Sequence, residues 1–556
     1  MKKALIVLGV LVVLALGWFF GLPKYRVHKE KKFAAQARAH LVKGEYRPAL
    51  LSAQQTLVLN GTNLTACEVM AEIADVGRSP NALIWRRRIA EFAPTISNHV
   101  VLAACSLRYE QAPFPVAQQA LEAAAKSGSA DRYVPYQVVS AQLALKLGRI
   151  ADAEKSFENA IRLEPTNHLH QLNLATVRLE SRDAAVSATA KAQLEAMQTD
   201  AQIGEYALRS LTAHHATRKD FEGALKYSKA LIESKAATFD DRLDRLNLLH
   251  EAKRPEFVSY AAQLEQTART NALLIFAVAS RLLGCGEAQR TLDWLKSLPP
   301  AMQTEQPVPL AFADTLSRLK DWRGMEERLN TENWKDQDFM RMALVAYAVR
   351  SQNDQTVANA HWAKAVQLAS ERPERLGLLS QMASGWRWDS EAESVLWRVV
   401  KDFPRERWAL DALHNGYVRT RNTSGLLSLY STMLDRDRTN VMVMNNFASL
   451  SLLLGTNLNR AHQLAQQVYL ASTNNYAFLS TYAWSLHLQG KTSEALALME
   501  RIAPAQLADA SVASYYATML VASGQKERAR EILDKARGTP VLPEEKALTD
   551  EARRKL

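Results

Sequence analysis

The stretch GRIADAEKSFENAIRLEPTN, residues 148–167, decides the fold class, because small and large residues recur in it at helical spacings. Ala153 and Ala160 are seven residues apart, and Phe157 lies between them on the same helical face. Two helices approach to about 8–10 Å only where the side chains at their contact are small. We therefore predict a helix that packs closely on a neighbour through the two alanines. Pro165 ends it, because proline cannot donate the next helical hydrogen bond.

The same pattern recurs along the chain at intervals near 34 residues. Four glycines each precede an alanine by five residues: Gly44 and Ala49, Gly148 and Ala153, Gly490 and Ala495, Gly524 and Ala529. Two further alanines take the corresponding place in other helical segments: Ala82 and Ala117. A period of this length is typical of stacked helical pairs, in which each pair buries its apolar face only against its neighbours.

One unit resembles the tetratricopeptide repeat (TPR) family at every position of that family's motif when its first residue is placed at Val134. The matching residues are Ala141, Gly148, Ala153, Phe157, Ala160 and Pro165. Units that begin at Tyr476 and Ala510 match at most of the same positions, although Ile502 stands where the family usually has alanine. The resemblance implies an all-α fold, in which antiparallel helix pairs stack into a right-handed superhelical solenoid.

Length and composition are typical of an elongated helical array. A chain of 556 residues exceeds the size at which one hydrophobic core is common. Glycine (21 residues) and proline (18 residues) are sparse, and alternating strand-like segments are almost absent. The net charge of +11 does not indicate a nucleic-acid partner, because residues 1–32 carry seven basic residues and one acidic residue, and hold +6 of that charge.

Residues 4–22, ALIVLGVLVVLALGWFFGL, form an uncharged apolar run. At about 1.5 Å per helical residue, this run nearly matches the ~30 Å hydrocarbon core of a bilayer. A cleaved secretory signal is the alternative, because Ala15 and Gly17 offer a cleavage site, but Trp18 suits the interface of an uncleaved anchor. We predict a single-pass protein of a bacterial inner membrane. Five basic residues follow the run and two precede it, which favours the cytoplasmic side for the bulk of the chain over the periplasmic side.

These observations predict seven segments. In chain order they are a basic N-terminus (1–3), a transmembrane anchor (4–22), a basic juxtamembrane linker (23–32), an N-terminal TPR array (33–167), a degenerate helical-repeat region (168–372), a C-terminal TPR array (373–537) and a C-terminal tail (538–556). The motif is clearest at 30–167 and 441–537 and fades in the degenerate region. A separate helical domain inserted at 168–372 is the alternative for that region.

Candidate chemistry is sparse in the sequence. The stretch GCGEAQ at 284–289 lacks the strand and the last glycine of a dinucleotide-binding turn, so a helix end explains it better. Cys67, Cys105 and Cys285 have no paired spacing, which disfavours a disulfide framework or a zinc knuckle. We therefore predict no catalytic residue, no cofactor and no metal, and a chain that is not an enzyme.

The TPR resemblance implies a concave groove lined by the first helix of each pair. In the C-terminal array, the residues that take such groove positions are Asn445, Ser449, Ser480, Trp484 and His487. Trp484 is either a binding anchor, because aromatic residues dominate binding hot spots, or a packing residue between repeats. Val138, Gln142, Ser480 and Trp484 occupy positions where carboxylate-clamping members of the family have lysine and asparagine, so that role is not expected.

The predicted function is a membrane-anchored TPR scaffold that assembles a complex by binding a protein or peptide in the groove. The alternative is an enzyme or sensor with a divergent helical middle domain (168–372) flanked by TPR targeting arms.

Overall fold

The computed structural model describes residues 22–536, 538 and 542–556. All regular secondary structure in these ranges is helical, and they contain no β-strand. The predicted anchor at 4–22 lies outside the described residues except for its last one, Leu22. None of the described helices combines the length and the apolar character that crossing a membrane requires.

The chain divides into two compact units, Met1–Thr270 and Asn271–Leu556. The helices of the first unit are α1 (Leu22–Val42), α2 (Tyr46–Leu59), α3 (Leu64–Val76), α4 (Asn81–Phe92), α5 (Ile96–Tyr109), α6 (Pro115–Ala125), α7 (Val134–Lys146), α8 (Ile150–Leu163), α9 (His168–Leu179), α10 (Ala184–Met197), α11 (Gly204–Thr217), α12 (Phe221–Glu233), α13 (Phe239–Glu251) and α14 (Glu256–Ala268). Short 3₁₀ turns lie at Ala130–Arg132 in this unit and at Lys335–Gln337 in the second.

The second unit begins with α15 and ends with α33. Its helices are α15 (Ala272–Gly284), α16 (Ala288–Lys296), α17 (Pro300–Thr304), α18 (Val308–Leu319), α19 (Trp322–Thr331), α20 (Asp338–Ser351), α21 (Gln355–Ala369), α22 (Pro373–Gly385), α23 (Asp389–Asp402), α24 (Arg407–Thr420), α25 (Thr423–Arg436), α26 (Val441–Leu453), α27 (Leu458–Ala471), α28 (Tyr476–Leu488), α29 (Thr492–Met499), α30 (Pro504–Leu507), α31 (Ala510–Ala522), α32 (Lys526–Lys535) and α33 (Pro543–Lys555).

Consecutive helices form hairpins, because turns of only a few residues return the chain alongside itself. The helices α7, α28 and α31 begin at Val134, Tyr476 and Ala510, the residues that the motif marks as the first of a repeat. The hairpins α7–α8, α26–α27, α28–α29 and α31–α32 are therefore the predicted pairs. We call the first member of each hairpin the first helix and the other the second helix.

The alanines of the motif lie at the helix contacts. Their side chains have no solvent exposure; they are Ala49, Ala82, Ala117, Ala153, Ala160, Ala495 and Ala529. Phe157 is 3% exposed and belongs to one cluster with Ala141 of α7 and Leu174 of α9. The helix α8 ends at Leu163, two residues before Pro165. The second helix of this pair is therefore packed between the first helix of its own repeat and that of the next.

A residue in the left-handed backbone region closes the turn within these hairpins. Gly148, between α7 and α8, has φ +71°. Its N–H donates to the carbonyl of Leu145, and the N–H of Arg149 donates to that of Ala144, which satisfies the last carbonyls of α7. Glycine adopts this conformation without the steric cost that a Cβ imposes.

The same turn continues through the degenerate region and into the C-terminal array, where other residues make it. These residues have φ between +51° and +69° and are Lys219, Lys253, Lys320, Asn353, Arg387 and Arg421. Around Lys320 the hydrogen bonds are those seen at Gly148: Lys320 N–H donates to Ser317 and Asp321 N–H donates to Leu316. Together with Gly286, Gly455, Gly490 and Gly524, the turn residues follow one another every 33–35 positions.

The turn therefore recurs at this spacing within each of the two compact units. The boundary between the two compact units, at 270/271, falls inside that region rather than at either end of it. The motif fades there because, at most of these turns, lysine or asparagine replaces the glycine that makes the turn recognisable in the sequence.

Two of the predicted segments differ in the structure. The segment predicted as a linker at 23–32 is helical and belongs to α1. Its Glu30 accepts hydrogen bonds from Asn60 (2.8 Å) and Asn63 (2.7 Å), which join α1 to the turn after α2. The tail predicted at 538–556 contains α33, which packs against the repeats before it.

Candidate partner-binding surface

The first helices of the last repeats lie on the inner side of their stack. The helix α26 packs directly on α28, and α28 on α31, whereas the second helices of these repeats do not come as close to one another. A stack curves toward the side on which successive helices are closer. We call the surface formed by α26, α28 and α31 on this side the inner face.

The five predicted groove residues lie on α26 and α28, but most of them are not open to solvent. Asn445 and Trp484 are each 5% exposed, and Ser480 is 4% exposed. Ser449 and His487 are half-buried. Asn445, Ser480 and Trp484 are therefore buried rather than open to solvent, whereas the role of the five residues in binding a partner stays a prediction.

Tyr515 of α31 covers Trp484. The two rings stack with their centroids 5.1 Å apart, and the ring of His487 lies 5.3 Å from that of Trp484 on the same helix. The Tyr515 hydroxyl also hydrogen-bonds Ser449 of α26, so one side chain spans three successive first helices. Burial raises the pKa of Tyr515 well above its ordinary value, and burial lowers that of His487. Sequence reasoning missed Tyr515 because its repeat position is not a groove position in the family.

The helix α33 also lies on the inner face. It packs mainly against α31 and only lightly against α32. Ala552 is 3% exposed and belongs to the same apolar cluster as Trp484 and Tyr515, with Leu548 and Leu556 packed at its edge. The sequence held a signal for this helix: Pro543 and two glutamates mark a helix start, and apolar residues follow at helical spacing.

Glu545 is the buried acid of this surface. It is 5% exposed, its Oε1 accepts from the Tyr515 hydroxyl (3.1 Å), and its Oε2 accepts from the Leu542 N–H (3.0 Å). The Ser511 hydroxyl is a third donor. Burial raises the pKa of Glu545, and these three hydrogen bonds offset only part of that effect.

Apolar side chains remain accessible at the margins of the inner face. Met442 at the start of α26 is 52% exposed, and Leu488 at the end of α28 is 43% exposed. Both take groove positions of the repeat motif. A partner can therefore reach the ends of these helices, while the centre of the face is covered by α33.

The other concentrations of functional groups serve packing or line surface depressions. Trp386 and Trp388 pack with Tyr347 and Trp362, and the Tyr347 and Trp386 rings stack at 4.5 Å. A depression of about 370 Å³ beside Tyr417 is lined by Glu393, which accepts the Tyr417 hydroxyl at 2.5 Å. Within the described ranges, no three His, Cys, Asp or Glu side chains are grouped as metal ligands.

Residues 477–501, which include most of α28 and all of α29, match the family model of the tetratricopeptide repeat. This segment is similar to a tetratricopeptide repeat. The TPR match covers the helix that carries Trp484 and the turn at Gly490. No curated protein matches the chain.

Three solved structures are similar to the chain at low identity. The structure of Naa15/Naa10 bound to HypK-THB has 16% identity and a TM-score of 0.28, and the match covers 94% of this chain and 70% of that one. The APC/C hetero-tetramer Cut9–Hcn1 has 11% identity and a TM-score of 0.24, and the match covers 93% of this chain and 98% of that one. A tetratricopeptide repeat protein from Parabacteroides merdae has 14% identity and a TM-score of 0.26, and the match covers 51% of this chain and 98% of that one. At TM-scores below 0.5, none of these proteins provides a basis for assigning a function.

Proposed function

We propose that this protein is a non-catalytic scaffold of TPR type that binds a protein partner on the inner face of its last repeats. The observation that carries the proposal is that this face accepts a helix, since α33 lies along it. Stacked helical repeats build extended concave surfaces, and an apolar groove between helices is a common receptor for an amphipathic helix.

The proposal assigns no catalytic role to the polar groups on the inner face. The hydroxyls of Ser511 and Tyr515 are engaged in holding Glu545 of α33. We further propose that the repeats form the right-handed superhelix that the TPR resemblance implies.

Leu488 and Leu470 provide a matched test of the binding surface. Both are exposed leucines, but Leu488 ends a first helix and Leu470 lies on the second helix α27. With a photoreactive phenylalanine analogue at one position or the other in the full-length chain, we expect irradiation in native membranes to link a discrete protein to position 488 and not to position 470. Equal labelling from both positions, or labelling from 470 alone, would place the binding surface elsewhere.

We also propose that residues 4–22 anchor the protein in the inner membrane of a bacterium, with the repeats on the cytoplasmic side. The apolar run and the excess of basic residues after it support this topology. Full-length protein should stay in the membrane pellet at high salt and alkaline pH, because neither weakens apolar burial in lipid. A chain that begins at Leu22, which keeps α1 whole, should be released, and protease added outside intact spheroplasts should spare the repeats. Recovery of a mature chain that begins near Trp18 would contradict the anchor.

A further inference from the structure

We infer that α33 is a displaceable occupant of the inner face, and that the partner which replaces it is an amphipathic helix with one carboxylate at the register of Glu545. This inference rests on the proposed function and specifies the chemistry of its partner.

The position of α33 distinguishes it from an end cap. A cap stacked on the last hairpin would contact α31 and α32 alone. Instead, Glu544 accepts a hydrogen bond from the hydroxyl of Thr423 at the start of α25, at 2.5 Å. Leu542 packs against the cluster that contains Leu426 and Leu450, and so reaches repeats well before the last one. The segment 542–556 therefore packs mainly on α31, and its first residues reach back to the start of the second helix α25, well before the last repeat.

The side of α33 that meets the inner face repeats at helical spacing. It consists of Leu542, Glu545, Leu548, Ala552 and Leu556, which are three or four residues apart. The opposite side is exposed and mostly charged, and includes Lys546, Asp550, Glu551 and Arg553. This is the pattern of a helix that docks into a groove through one stripe.

The contact made by Glu545 selects for a carboxylate without holding it tightly. Its described hydrogen-bond partners are two hydroxyls and one backbone N–H, and the nearby Asp509 adds a second negative charge. A buried carboxylate keeps much of its desolvation cost when no cation pairs with it. The inner face therefore recognises a helix that carries a carboxylate at this register, yet the intramolecular copy is held weakly enough to be exchanged.

Self-occupancy reduces the apparent affinity for a partner to the intrinsic affinity multiplied by the fraction of molecules in which the face is open. A substitution that removes α33 from the face should raise that affinity. Ala552→Glu places a charge at a position that is 3% exposed, whereas Ala547→Glu makes the same change on the exposed side of the same helix.

The first experiment measures binding of a fluorescent peptide of residues 542–556 to the full-length variants. We expect the peptide to bind the Ala552→Glu variant at least tenfold more tightly than it binds wild type. The variant's own α33 no longer occupies the inner face, whereas the peptide has the native Ala552 and can still dock there. The Ala547→Glu variant should behave as wild type. Equal binding to all three proteins, or no binding to Ala552→Glu, would overturn the inference.

A second measurement needs no variant and covers the case in which Ala552→Glu unfolds the last repeats. In wild-type protein, amide hydrogens of α33 should exchange at least tenfold faster than those of α31, because a displaceable helix opens without its receptor. Equal protection of the two helices would mean that α33 is an integral part of the fold and would overturn the inference.

The photo-crosslinking assay separates this inference from the proposed function. A partner that is linked to position 488 in higher yield with Ala552→Glu than with wild type supports both. A partner that is linked in the same yield in the two proteins overturns the inference alone. If the peptide binds the vacated face but no protein is linked to position 488, the proposed function fails while α33 remains a displaceable occupant.

Discussion

Trp484→Ala is expected to lower the free energy of unfolding of the last repeats by about 3–5 kcal/mol, the usual cost of truncating a large buried aromatic residue to alanine. The indole is 5% exposed and stacks on Tyr515. It also belongs to the apolar cluster that includes Leu479 and Tyr516, so its removal leaves a cavity between two repeats. The expected loss is therefore one of stability rather than of a surface contact.

Trp484→Phe is the matched control for this substitution. The indole Nε1 is buried and has no hydrogen-bond partner within the described residues, so losing the N–H leaves no acceptor unsatisfied. A phenyl ring keeps most of the stacking area on Tyr515. We therefore expect a cost well below that of alanine.

The measurement for both variants is urea unfolding of the full-length protein, combined with hydrogen exchange, because repeat arrays do not always unfold in one step. The protection of amide hydrogens in residues 476–535 against exchange should fall sharply in Trp484→Ala and little in Trp484→Phe. If Trp484→Ala kept wild-type stability but lost partner binding, Trp484 would be a surface anchor after all.

Ala160→Leu is expected to cost about 1–3 kcal/mol, the usual effect of adding methylene groups to a filled site. Ala160 has no solvent exposure and shares its face of α8 with Ala153 and Phe157. A larger side chain there must push α8 away from its neighbours or take a strained rotamer.

Lys155→Leu provides the control on the same helix. Lys155 is exposed, and leucine and lysine have similar helix propensities, so this change should leave the free energy of unfolding nearly unaltered. The two variants are compared by urea unfolding of the first unit's helices within the full-length chain. Similar midpoints for the two variants would show that α8 packs through a different face.

The packing of the fold could be predicted from short-range pattern, whereas the binding surface could not. Seven alanines and four glycines mark the helix contacts and turns of the clear repeats, because steric fit at a close helix contact admits only small side chains. In the degenerate region the signal fails at Lys219, Lys253 and Lys320. These residues hold the left-handed turn in place of glycine, and the packing around them outweighs their local backbone preference.

The sequence by itself determined the helical hairpins, the first residues of three repeats and the burial of the motif alanines, since each depends on residues within one or two repeats. Only the tertiary structure decided what covers the first helices. Ser449, Trp484 and Tyr515 lie on three different repeats, and Glu545 follows after a further linker. Their contacts depend on the curvature of the stack and on the path of the chain back across it. The curvature is the sum of small rotations over many repeats, and the return path of the chain depends on it, so neither can be predicted from the local spacing of residues.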